Sequence, residues 1–295
     1  MLKFVDQPFA QGADGIKIVT ANRCVSTAYL YHHLSCIPLV PKQYKRHFST
    51  LKNQIICFPN PKSNEQQKIT DCLISLDDLI ATEEQKLEAL KRHKKGLLQQ
   101  LFPQPGETMP KLRFPEFLED SEWNYAFVAD LINTIIPPKK LLSSAYLPDG
   151  CFPIIDQSRS YICGWTNDND AVITKQLPVI VFGDHTCVLK FVDQPFAQGA
   201  DGIKIVTANR CVSTAYLYHH LSCIPLVPKQ YKRHFSTLKN QIICFPNPKS
   251  NEQQKITDCL ISLDDLIATE EQKLEALKRH KKGLLQQMFP SLDKR

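Results

Sequence analysis

One amphipathic stretch occurs twice in this chain, at 63–102 and again at 250–289, and it limits the possible folds more than any other feature. In the first copy apolar residues fall at Ile69, Leu73, Leu76, Ile80, Leu87, Leu90, Leu97 and Leu101. Their spacing by threes, fours and sevens places them on one stripe of an α-helix. Ser63 followed by Gln66 fits a capping box, and Glu65 suits the first turn. Lys91, Arg92, Lys94 and Lys95 crowd the end where the helix dipole favours cations, and Pro103 stops the helix. At about 1.5 Å per residue the stretch makes a rod of roughly 57 Å, too long for an ordinary helix of a compact domain.

The repeat extends beyond the helix. Residues 2–100 recur without change as 189–287, and the first differences are Leu101 against Met288 and Gln104 against Ser291. Two domains under separate selection would have drifted apart, so the identity points to a recent duplication or recombination. Residues 101–188 have no twin. The order is therefore repeat, unique half, repeat.

A chain of 295 residues with 43% apolar content is globular and can hold more than one core. A formal charge of +6 permits a polyanionic partner without requiring one. Eleven cysteines, none in a Cys-x-x-Cys pair, read as reduced thiols. There is no basic region followed by an apolar run at the N-terminus and no apolar stretch of about 20 residues, so a cytoplasmic location without membrane contact is expected.

Within each repeat the pattern predicts a strand at Lys3-Phe4-Val5, a turn at Gly12-Ala-Asp-Gly15 and a strand at Ile16-Lys-Ile-Val19. A short helix capped by Asn22 and an apolar run at Gln54-Ile-Ile-Cys-Phe58 follow. The unique half opens with an extended, proline-bounded strap at Pro110-Lys-Leu-Arg-Phe-Pro-Glu-Phe117 leading to Trp123. Strands are then expected at 125–128, 152–155, 160–164 and 179–182, separated by Pro-Pro, Pro-Asp-Gly and Asn-Asp-Asn-Asp turns. One complete, strand-rich unit thus runs from about Pro110 to Pro248. The first copy lacks the segment that precedes its twin, so its strands are expected to be short of neighbours and the chain to begin in mid-domain.

These residues resemble the specificity (S) subunit of type I restriction-modification systems. The likeness is carried by Pro110-Lys-Leu-Arg-Phe-Pro-Glu-Phe117, by Leu177-Pro-Val-Ile-Val-Phe-Gly-Asp-His185 running into Val192-Asp193 and Gly199-Ala-Asp-Gly202, by Tyr231-Lys-Arg-His-Phe235 and by Asn251-Glu-Gln-Gln-Lys-Ile256. The order of globular unit, rod, globular unit, rod is more specific than any of these motifs. The resemblance implies an α/β (α+β) fold in which strand-rich target recognition domains alternate with long helices that pair as an antiparallel coiled coil. It divides the chain into the C-terminal half of a truncated recognition domain at 1–62, a spacer helix at 63–102, a linker at 103–110, a complete recognition domain at 111–249, a second spacer helix at 250–289 and a tail at 290–295. The truncation is a departure, since such subunits carry two whole domains.

Candidate DNA contacts are Lys229, Tyr231, Lys232, Arg233 and His234, together with Lys139, Lys140, Arg159 and Tyr161. Cations with interleaved aromatics suit phosphate contacts, and arginine can also read guanine. A solvated loop in which Arg233 and His234 pair internally is the alternative, and the remaining four residues could be ordinary surface. Trp165 reads as a packing residue and His32-His33, with their twins His219-His220, as partly buried helix residues that cannot share one face. Gly183-Asp-His185 reads as a turn at a strand end rather than a catalytic or metal site. Glu84-Gln-Lys86 has the spacing of half a nuclease motif but lies mid-helix, where a solvent-facing surface explains it better. No catalytic or metal-binding spacing is present, nor a nucleotide-hydrolysis loop.

The reading is a DNA sequence-specificity subunit without its own active site. As the resemblance implies, it would bind a bipartite double-stranded target and direct adenine methylation and restriction by methyltransferase (M) and motor (R) subunits. S-adenosylmethionine, ATP and Mg would belong to those partners, with no cofactor in this chain. A second chain could supply the missing half-domain. The alternatives are a silent or partial recombination-donor copy and a coiled-coil scaffold.

Overall fold

A computed structural model describes residues 2–12, 15–37, 48–104, 106–227 and 233–289. It divides into two compact units, one formed by Met1–Leu90 with Leu266–Arg295 and the other by Lys91–Asp265.

The elements in chain order are α1 (Thr27–Ser35), α2 (Phe48–Lys52), α3 (Glu65–Leu101), β1 (Asn124–Phe127), α4 (Val128–Leu131), β2 (Ile132–Ile135), β3 (Phe152–Ile155), β4 (Gly164–Thr166), β5 (Val172–Ile173), β6 (Val179–Gly183), β7 (Leu189–Val192), β8 (Phe196–Gln198), β9 (Ile203–Ala208), α5 (Thr214–Cys223), α6 (Phe235–Lys239), β10 (Ile242–Phe245) and α7 (Glu252–Met288). The two expected rods are α3 and α7, each 37 residues long. The expected strand at 160–164 lies further along, as β4, where Gly164 pairs with Ile154.

In the first unit the rods run antiparallel. Ile80 and Leu87 bury against Leu274, flanked by Leu76, Ile267 and Leu277. Charged pairs bracket this seam, with Glu83 to Lys273, Lys86 to Glu270, Asp77 to Lys281 and Glu84 to Lys278 at 2.8 Å. As residue numbers rise along α3 their partners fall along α7, which defines the antiparallel sense. Because the helices are copies, Glu83–Lys273 and Lys86–Glu270 are the same pair seen from opposite sides. Glu84-Gln-Lys86 is therefore not a bare solvent face, since two of its charges cross to the other rod.

The capping box does not form. Ser63 Oγ donates to Asn60 O, while the Gln66 amide donates to Cys24 O and Pro59 O and its oxygen accepts from Ser26 N. Gln66 is buried, and its amide is satisfied by loop groups rather than by its own helix end.

The second unit is built on a four-stranded antiparallel sheet in the order β2-β9-β6-β7. Alternation along its strands sends side chains to two cores. Ile180, Phe182 and Val206 pack with Tyr216, Leu217 and Leu221 of α5, with Leu101, Ile256 and Leu260 from the rods and with Phe102 just after α3. On the other face Val179, Val181, Ile203 and Ile205 pack with Ile155 and Phe196. Those last two residues belong to a second sheet, ordered β4-β3-β8-β5. Every residue of β6 is buried, because both faces of the central sheet are covered.

The strap lies along α7. Arg113 meets Glu252 in a bidentate pair at 2.7 and 2.8 Å, and Phe114 lies under Lys255, 5.7 Å from the ring centre. Trp123 is buried in the main core and Trp165 is half-buried. The histidine pairs are more deeply buried than partial burial would give: His32, His33, His219 and His220 are all 5% exposed or less.

Candidate nucleic-acid interface

Four chain segments of the second unit converge at one end of its central sheet. Gly183 closes β6, and the turn into β7 is held by Cys187 N donating to Gly183 O at 2.8 Å. Asp184 N donates to Gly202 O at 2.7 Å, joining this turn to the β8–β9 turn. Gly202 has φ of +97°, and a Cβ on it would lie 2.6 Å from Gln157 Nε2, so only glycine suits the position. Thr186 Oγ1 donates to Gln157 O at 2.8 Å, which brings in the loop after β3. Asp184 Oδ1 accepts from the backbone amides of His234 and Phe235, both at 2.9 Å, and so fixes the start of α6. The Gly-Asp-His segment is thus a turn, and its carboxylate works as a structural clamp.

Lys190 holds the loop from beneath. Its buried ammonium donates to Asp156 O at 2.7 Å and Ser160 O at 2.6 Å. Burial lowers its pKa, while the Asp156 carboxylate opposes that shift. With two carbonyls bound, the cation organises the loop that carries Arg159.

On this scaffold the candidate residues have different placements. Arg159 and Arg233 are exposed. Lys140 is bridged to Gln198 and pairs with Asp201 at 2.8 Å. The Asp201 carboxyl is held below its usual range by the hydrogen bond from Lys140, that residue's charge, and the charge of Arg233. Lys140 and Arg233 therefore share one neighbourhood. Both members of the Lys140–Asp201 pair are more than half exposed, so solvent screens the pair and it is weak.

Lys139 is drawn elsewhere, to Asp168 at 2.6 Å. The Tyr161 hydroxyl donates to Phe191 O at 2.6 Å, and burial followed by the nearby Asp193 charge pushes its pKa up to about 12. It acts there as a strut between the loop and β7. His234 is buried. Lys229, Tyr231 and Lys232, like their copies Lys42, Tyr44 and Lys45, lie outside the described residues.

Sequence reading missed Asp184, Gln157, Asp201 and Lys190 as the residues that shape this end. Lys190 left a signal, because a lysine at an inward position of an alternating strand needs a buried partner. Among the described residues no three histidine, cysteine or acidic side chains are grouped to hold a metal ion. No helix among them is long and apolar enough to cross a membrane.

The fold is of the α+β class, with the strands among the described residues all in the second unit and two long helices that pair antiparallel. No family model matches the chain. Over 125 residues it is 27% identical to the specificity subunit of the type I restriction enzyme EcoR124I/EcoR124II of Escherichia coli, a match over 39% of this chain and 31% of that protein. The chain thus matches about a third of the length of its curated relative. The crystal structure of a type I restriction-modification S subunit from M. genitalium superposes with a TM-score of 0.63 at 15% identity, covering 92% of this chain and 74% of the other. A structure described as concerning complex assembly and conformational transition of the type I restriction-modification system gives 0.53 at 16% identity, covering 92% and 73%. The chain is thus similar in sequence over 125 residues to one type I specificity subunit, and similar in fold over most of its length to the S subunit from M. genitalium.

Proposed function

We propose that the chain is a non-catalytic DNA-specificity subunit whose second unit binds duplex DNA with the end bearing Lys140, Arg159 and Arg233. The observation that carries this reading is the clamped junction of Asp184, Gly202 and Gln157. It presents exposed cations from separate loops on a rigid base, as base and phosphate contacts require. As the resemblance implies, residues 111–249 serve as a target recognition domain and the rods as spacers, so the target is bipartite. M subunits carry S-adenosylmethionine and methylate adenine, R subunits carry ATP and Mg, and the whole acts in the cytoplasm.

The test is purification with the cognate methyltransferase, mapping of methylated sites, and titration with DNA at several salt concentrations. Replacing Arg233 with Ala should lower affinity on all sequences and reduce the salt slope by about one if it holds a phosphate. It should relax one target position by about 1–3 kcal/mol if it reads a base. Binding and methylation unchanged in Arg233→Ala would remove this residue from the interface. The unbroken identity of 2–100 with 189–287 favours one second reading, a partial copy that serves mainly as a recombination donor. In that case no methylated site would depend on this chain.

A further inference from the structure

A pocket of about 260 Å³ lies in the second unit, beside the loop that carries Arg159. Its walls are Leu189 and Phe191 of β7, Tyr218 and His219 of α5, and Ile261, Asp264 and Asp265 from the N-terminal half of α7. Tyr161 and Asp193, both exposed, stand at its mouth. Sites that enclose a cofactor or a drug-sized ligand measure roughly 300–1,000 Å³, so this one is sized for a single side chain.

The walls offer acceptors and negative charge. His219 is 3% exposed, and its Nδ1 has no hydrogen-bond partner among the described residues. That is unusual, because most buried polar side-chain atoms are paired. Burial, followed by the charge of Lys94, lowers the His219 pKa to about 4, so the ring is neutral at pH 7 and Nδ1 can accept. Asp193 pairs with no cation among the described residues. The two nearby lysines are already engaged, Lys94 by Asp264 and Lys190 by the carbonyls of Asp156 and Ser160. Burial and then Asp193 raise the Tyr161 phenol, and burial and then Asp264 raise that of Tyr218. The carboxylates thus favour a cation between these rings.

The kind of cation follows from the remaining walls. Among the described residues no three histidine, cysteine or acidic side chains are grouped to hold a metal ion. Phe191 and Tyr218 present ring faces, with centres 5.5 Å apart and planes inclined by 38°. A guanidinium is planar, carries five N–H donors and stacks on aromatic rings, whereas an ammonium is a compact, strongly hydrated charge. A carboxylate, an imidazole acceptor and aromatic walls together match the guanidinium.

We propose that this pocket receives an arginine side chain presented by a protein partner that docks on the face formed by β7, α5 and the N-terminal half of α7. The guanidinium pairs with Asp193, donates to His219 Nδ1 and lies against Phe191 and Tyr218. Its aliphatic stem covers Ile261, which is 36% exposed. Nothing in the pocket requires the unit to bind DNA.

The test follows the His219 Nδ1 signal of the full chain by nitrogen-15 NMR, assigned with His219→Gln because His32 is its twin. Nα-acetyl-arginine methylamide, which presents arginine as a chain does, should shift that signal saturably. Nα-acetyl-lysine methylamide and spermidine should bind more weakly. Asp193→Asn should weaken binding of the arginine compound about tenfold or more, as loss of a charged hydrogen bond does. Asp6→Asn, the same change at the twin position, should leave it as in the parent. Absence of a saturable shift overturns the proposal. So does equal or tighter binding of the lysine compound or spermidine, which makes the pocket a general cation site. Tighter binding of free arginine than of the blocked form would assign it to a small molecule and equally overturn it. An Asp193→Asn effect that is absent, or matched by Asp6→Asn, would reduce the interaction to net charge and sink the pairing.

Discussion

Asp184 Oδ1 lies 2.9 Å from the backbone nitrogen of His234, fifty residues away in sequence, and accepts its hydrogen bond inside the protein. The same oxygen accepts from Phe235 N, so one carboxylate satisfies two amides at the start of α6. Asp184→Ala would take this acceptor from the half-buried Phe235 amide, while His234 N keeps the Asp184 carbonyl at 2.8 Å, and should cost about 1–3 kcal/mol in urea unfolding. His185→Ala, at the exposed neighbour, should fall within about 0.5 kcal/mol of the parent. Similar losses from both would show that the turn, rather than the carboxylate, stabilises this end.

The rods offer a second comparison. Leu87 is buried in the seam against Leu274, whereas Glu84 and Lys278 are both more than 40% exposed. Leu87→Ala should therefore destabilise by about 2–5 kcal/mol through lost burial and the cavity left behind. Glu84→Ala should cost less than about 1 kcal/mol. Thermal or denaturant melts of the two variants decide, and equal effects are incompatible with the paired seam.

The twin isoleucines give a matched pair of substitutions. Ile205→Ala removes a side chain packed in the core of the second unit and should cost about 2–5 kcal/mol. Ile18→Ala, in identical local sequence, should change stability by no more than about 0.5 kcal/mol in the chain by itself. Denaturant curves with comparable losses would mean that residue 18 is already covered.

Acid stability should report the buried histidines. Burial lowers His220 to about 4, with a hydrogen bond to the Cys244 backbone opposing the shift. His219 is likewise lowered to about 4 by burial and by Lys94, with Asp264 opposing. In the unfolded chain each histidine takes up a proton near pH 6.5, so between that value and about 4 the unfolded state binds more protons. Stability is then fully present above about pH 6.5 and falls with decreasing pH by up to about 1.4 kcal/mol per unit for each histidine, levelling below about 4. His220→Asn should remove one such contribution from the slope, measured by urea unfolding between pH 7 and 4. An unaltered slope would place the proton uptake elsewhere.

The helical part of the fold was legible in the sequence for a local reason. Each α-helix satisfies its backbone within a few residues, so the stripe from Ile69 to Leu101 was enough to define α3 and, by identity, α7. The exposed cations of the candidate interface could also be named from residue type. Their support could not, because Asp184, Gly202, Gln157 and Lys190 meet only when separate loops are folded together.

The first twenty residues of the repeat mark the boundary. Sequence alone determined that they alternate in the manner of strands, in both copies alike. Tertiary structure decided that only 189–208 become β7, β8 and β9. A strand leaves its amides and carbonyls open at both edges, and Ile205 finds partners in Ile135 and Val181, whereas Ile18 finds no strand neighbour among the described residues of its unit. The same letters therefore give a buried sheet in one place and an exposed segment in the other, because β-structure is completed by residues distant in the chain.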